Sequence, residues 1–98
     1  MIIYLKKSTN QQKKYMVLIN NKKIHFGQRG YQDFILSNGN ELKKKNYIAR
    51  HSKMGENWEK SGIESAGFWS RWLLWNKPTL KDSIRDIEKK FNIKIIYN

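Results

Sequence analysis

The sequence predicts an α+β fold: a small, mostly antiparallel sheet, built from an N-terminal hairpin and a C-terminal strand, packed against two to three helices. Three observations carry this. Tyr15-Met16-Val17-Leu18-Ile19, Asn20-Asn21 and the return run Lys22 to Phe26 form a hairpin pattern early in the chain. Leu80, Ile84, Ile87 and Phe91 recur at helical spacing late in it. Ile93 to Tyr97 then forms a second β-rich run that matches Ile2 to Leu5. Strands, helices and a final strand, in that order, describe an α+β domain. The 98 residues amount to one domain, residues 1–98. Four Trp, five Tyr and four Phe argue against disorder, because disordered chains are poor in aromatics.

Each element has a local reason. Residues 2–5 read as a short strand, and Lys6 to Lys14 as a polar loop. Asn20-Asn21 suits a two-residue type I′ turn, since Asn tolerates positive φ. In the return strand Ile24 and Phe26 share one face, and Lys23 and His25 the other. Gly27 and Gly30 break the chain, and Tyr31 to Leu36 reads as a third strand. Ser37-Asn38-Gly39-Asn40 is a turn, and Asn40 caps a basic helix over Glu41 to Lys53. That helix carries a thin apolar stripe of Leu42, Tyr47, Ile48 and Ala49. Gly55 to Gly62 is irregular, and Ser65 to Trp75 is apolar nearly all round, hence a buried helical segment. Thr79 with Asp82 caps the helix that follows, and Asn92 closes it.

Charge dominates the composition. Twenty Lys and Arg stand against eight Asp and Glu, a formal net charge of +12. Residues 1–53 hold twelve basic and two acidic residues, or +10, and residues 54–98 hold eight and six, or +2. A charge needed only for solubility would not be so uneven. The expected partner is a polyanion, nucleic acid first and DNA ahead of RNA. Phosphate backbones bind through several Lys and Arg that release counterions. The candidate contacts are Lys13, Lys14, Lys22, Lys23, Lys43, Lys44, Lys45, Arg50, His51 and Lys53. Arg29, between Gly27 and Gly30, is either a phosphate fork on a backbone that a phosphate can approach closely or an exposed turn residue. Arg71 either stacks on its Trp neighbours or projects into a basic surface. His25 reads as a surface residue. Asp33, an isolated acid in the basic half, is expected to pair with Arg50 or Arg29.

Other classes find less. There is no cysteine, so no disulfide or thiolate metal site, and two His without an HxxxH pair make a poor zinc site. No GxxxxGK[ST] loop is present. No catalytic residue, metal or cofactor is therefore assigned. If the protein were a nuclease-like enzyme, Asp33, Arg50 and His51 would be its working group. No apolar run approaches the roughly 18 residues of a membrane span. Lys6-Lys7 follows Met1 to Leu5 at once, so no signal peptide and no secretion are expected. Trp69 and Trp72 are expected in the core. The alternative makes the Trp-rich segment a surface for an acidic partner or a homodimer.

Several strings carry a resemblance. They are Lys22 to Gly27, Gly30 to Phe34, Tyr47 to His51, Asn57-Trp58, Ser61 to Asn76 and Ser83 to Ile87. Together they resemble a family of small basic proteins of unknown function encoded by large nucleocytoplasmic DNA viruses, the giant-virus and phycodnavirus groups. The likeness spans roughly residues 14–92. It implies a viral protein, associated with the genome or virion core, placed in the virion, the viral factory, or the host cytoplasm or nucleus. It carries over no catalytic residue.

Overall fold

The computed structural model describes residues 1–98. Four strands form one sheet: β1 (Ile2–Lys7), β2 (Lys13–Ile19), β3 (Lys22–Gln28) and β4 (Lys94–Tyr97). Their order is β3-β2-β1-β4, with β1–β2 and β2–β3 antiparallel and β1–β4 parallel. The α+β expectation holds, and the sheet is mostly antiparallel. Asn20 and Asn21 take φ of 49° and 64°, as the two-residue turn requires.

One face of the sheet packs on helices. Ile3, Leu5, Val17, Ile19 and Phe26 point into a core shared with Phe68, Trp69, Leu73, Ile87 and Ile95. Alternation along each strand puts Tyr4, Leu18, Lys23 and Ile96 on the opposite, open face, where the register sets them side by side. Helix α3 (Leu80–Phe91) starts where the Thr79 hydroxyl accepts from the Asp82 N–H. It ends at Asn92, whose left-handed φ of 55° turns the chain back towards β4. Ile87 and Phe91 are buried, while Leu80 and Ile84 pack partly against the core.

The Trp-rich run makes one α-turn, α2 (Ala66–Trp69), and then widens into a π-turn over Ser70–Leu74, where the Trp75 N–H reaches the Ser70 carbonyl at 3.1 Å. Ser65 caps α2 by accepting from the Phe68 N–H. Phe68, Trp69 and Leu73 are wholly enclosed. Trp72 is only partly covered; Phe91 meets it edge-on at 5.6 Å.

Four expectations need correction. The loop expected over Lys6 to Lys14 spans only residues 8–12, because β1 runs on through Lys7 to pair with Tyr15 and β2 starts at Lys13. Tyr31 to Leu36 is a turn and no third strand. The Asp33 carboxylate accepts the Leu36 N–H at 2.8 Å, its carbonyl accepts the Ser37 N–H, and Phe34 plugs into the core side with its N–H on the Leu74 carbonyl. A side chain that caps its own backbone competes with ladder pairing. The basic helix α1 (Glu41–His51) stops two residues early, because Ser52 to Gly55 tightens into a turn ending at a φ of +76°. Its apolar stripe shrinks to Tyr47 and half of Ile48, since Leu42 and Ala49 are exposed. At the other end of the helix, Asn40 caps α1 as expected, accepting the Lys43 N–H. No helix is long and apolar enough to cross a membrane.

Candidate nucleic-acid interface

Tyr47 alone anchors α1 deeply, and its position creates a cleft. Its ring stacks on Trp75 at 4.6 Å and on His51, one helical turn away, at 4.2 Å. This holds α1 beside the open end of the β2–β3 hairpin and leaves a cleft of about 610 Å³ between them. Lys13, Lys14, Asp33, Lys43, Arg50 and His51 all line it. The floor is apolar, with Phe26, Leu74 and Ala66 among its residues. Gly27 closes it tightly: at φ +76° an added Cβ would come within 2.6 Å of Leu74 Cδ1.

Two carboxylates sit in this cleft, and each is already engaged. Lys14 Nζ donates to Asp33 Oδ2 at 2.6 Å and to the Tyr31 carbonyl at 2.7 Å. The pair is well enclosed, with side-chain exposures of 13% and 3%. Asp33 thus pairs with Lys14 and with neither Arg50 nor Arg29. Lys14 lies on the strand that flanks the Asp33 turn, a neighbour that only the hairpin geometry supplies. Removing one partner of such a pair strands the other. Asp33→Ala is therefore expected to lower stability by about 3 kcal/mol. A denaturation midpoint equivalent to less than about 1 kcal/mol of loss would contradict that role.

The second carboxylate, Glu56, carries no motif in the sequence. It lies in the irregular segment after α1, with Oε2 2.7 Å from His51 Nδ1 and Oε1 accepting from Trp58 Nε1 at 2.9 Å. Its closeness to Arg50-His51 along the chain is the one signal that could have found it. Burial, and after it the charge of Glu56, pushes the Tyr47 phenol well above its ordinary range, so it stays protonated. Against these two acids stand four cations, Lys13, Lys14, Lys43 and Arg50, leaving the lining at net +2 with His51 neutral. Lys13, Lys43 and Arg50 belong to no ion pair.

The remaining candidates are scattered. Lys22 and Lys23 lie at the far, turn end of the hairpin, and Lys22 pairs with Glu64 at 2.8 Å. Each of those two partners holds the other in its charged form. Lys44 turns inward: its Nζ donates to the Asn76 carbonyl at 2.8 Å and sits 4.8 Å above the Phe34 ring. Burial, followed by the nearby Arg71, lowers its pKa. Arg71 takes the stacking alternative. Its guanidinium lies 4.3 Å from Trp72 and 5.4 Å from Trp58, and Nη1 donates to the Trp75 carbonyl. Arg29, Lys45 and Lys53 are exposed but do not line the cleft. His25 is half-buried, its Nδ1 2.7 Å from the Ser8 hydroxyl.

Comparison with known proteins gives one relationship. The model of DUF5754, a family of unknown function, matches residues 3–51, from β1 to the last residue of α1. No curated protein and no solved structure matches the chain. The matched half contains both walls of the cleft, Lys13 and Lys14 on one side and Lys43, Arg50 and His51 on the other. The chain belongs to this family of unknown function.

Proposed function

We propose that this protein binds nucleic acid without strong sequence preference, through the basic cleft between the hairpin and α1, and that it is not an enzyme. The observation that carries this is the convergence of Lys13, Lys43 and Arg50, all free of acidic partners, on one concave site. Cations left unpaired on a surface raise the local concentration of anions. The uneven charge adds to it: +10 of the net +12 lies in residues 1–53. Exposed Lys45, Lys53 and Arg29 extend the positive field beyond the cleft. DNA is the first partner to try. The setting, a viral genome or virion core, rests on the sequence resemblance to viral proteins.

The nuclease-like alternative finds less support. Asp33 is buried and paired with Lys14 and the Leu36 N–H, which disfavours its meeting a substrate proton. The interaction-module alternative has less support from the Trp-rich segment. Trp69 is enclosed, and the half-buried Trp72 and Trp75 stack on Phe91 and Tyr47. The open sheet face does expose Ile2 and Tyr4, but Lys6, Lys23 and Lys94 edge it, and a second copy would meet like charge there.

A gel-shift titration against duplex DNA, single-stranded DNA and RNA at two salt concentrations tests the proposal. Three phosphate contacts predict a loss of about 40-fold in duplex affinity between 50 and 200 mM salt. Affinity that does not change with salt would sink it.

A further inference from the structure

We infer that the cleft takes a single nucleotide unit, its phosphate on the rim cations and its base against the aromatic wall, so that the protein grips single-stranded DNA in preference to a closed duplex. The inference rests on the nucleic-acid reading above and gives that site its ligand class.

The first argument is shape. A duplex presents its phosphates along a convex cylinder, which a flat or ridged basic surface serves best. This site is instead a concavity of about 610 Å³, within the range of small-molecule sites and large enough for a mononucleotide. The second is uncommitted chemistry. Gln28, Gln32 and Asn46 line the cleft, and none of their side-chain amides bonds to another protein group. An amide offers both donor and acceptor, so it suits a base edge of any identity. The third is Tyr31. It stands at the cleft 65% exposed, stacked on none of the protein's own rings, while its backbone is pinned by Lys14. An exposed ring on a fixed backbone is what base stacking needs, and stacking is available only to an unpaired base.

The electrostatics are consistent with this. Asp33 is neutralised by Lys14, and Glu56 is hydrogen-bonded to His51 and Trp58, so Lys13, Lys43 and Arg50 outnumber the one remaining acid that an incoming phosphate meets. A phosphate on the rim leaves the base of the same nucleotide within reach of Tyr31 and the amides.

The test is fluorescence anisotropy on the full chain. The probes are a labelled single-stranded DNA and a duplex of the same sequence closed by hairpins at both ends, with dAMP, inorganic phosphate and deoxyadenosine as competitors. The single strand is expected to bind about tenfold or more tighter than the closed duplex, although the duplex has the higher charge density. The mononucleotide should displace it at lower concentration than phosphate or nucleoside alone. Tyr31→Ala, at an exposed site where folding is not at stake, should weaken single-strand binding at least about fivefold and leave duplex binding unchanged. Equal affinity for the two DNAs, or no effect of Tyr31→Ala, overturns the inference while the broader nucleic-acid reading stands. No binding to either DNA or to an RNA of the same sequence overturns both.

Discussion

Trp69→Ala is expected to lower the unfolding free energy by about 3–5 kcal/mol, the range for truncating a large aromatic in a core. Trp69 is fully buried. Its ring lies 6.2 Å from Phe26 on the sheet and 5.3 Å from Phe68 on its own turn, so it joins the two layers. Its indole N–H also donates to the Ile63 carbonyl at 2.7 Å, a buried acceptor that would lose its partner. Domains of this size have about 5–15 kcal/mol in total, so the variant sits near the edge of folding. Trp69→Phe keeps most of the volume and should cost much less. Urea unfolding of both variants measures the difference. If Trp69→Ala shifted the midpoint no more than Trp69→Phe, Trp69 would not be the hub of this core.

The second large effect lies at the cleft. Changing Lys13, Lys43 and Arg50 together to Ala is expected to reduce the slope of log affinity against log salt by about 2 for single-stranded DNA, at about 0.7 for each phosphate no longer neutralised. None of the three is in an ion pair, and Lys43 and Arg50 are exposed, so the thermal midpoint should barely move. The matching control removes Lys60, Lys81 and Lys89, equal in charge, exposed and unpaired but outside the cleft. If that control flattened the salt slope as much, binding would follow net charge alone and the cleft would have no special part.

Elements with local causes are legible in the amino-acid sequence. The hairpin turn needs two residues that accept positive φ, and Asn20-Asn21 shows as much in the chain. Helix α3 has its cap, its stripe and its stop within fourteen residues, Thr79 to Asn92. The stretch from Tyr31 to Leu36 misleads because its aromatic content suits a strand, whereas the Asp33 carboxylate and the socket for Phe34 override propensity. Which cation meets Asp33 is not legible either. Lys14, Arg29 and Arg50 are all basic candidates, and the nineteen-residue separation of Lys14 from Asp33 is closed only by the hairpin and the turn after it.

The candidate site divides in the same way. By itself the sequence determined that this is a basic α+β domain with Trp69 in its core, that the charge excess lies in residues 1–53, and that Tyr47, Arg50 and His51 recur on one helical turn. Those properties depend on composition and on periodicity, which adjacent residues carry. Only the tertiary structure decided that Lys44 and Arg71 turn inward and that Lys13, Lys43 and Arg50 share one cleft with Tyr31. It decided too that Asp33 and Glu56 are already engaged. These outcomes hang on the seating of Tyr47 against Trp75, twenty-eight residues apart along the chain. A contact of that kind is set by how the layers pack, and no local pattern in the chain encodes it.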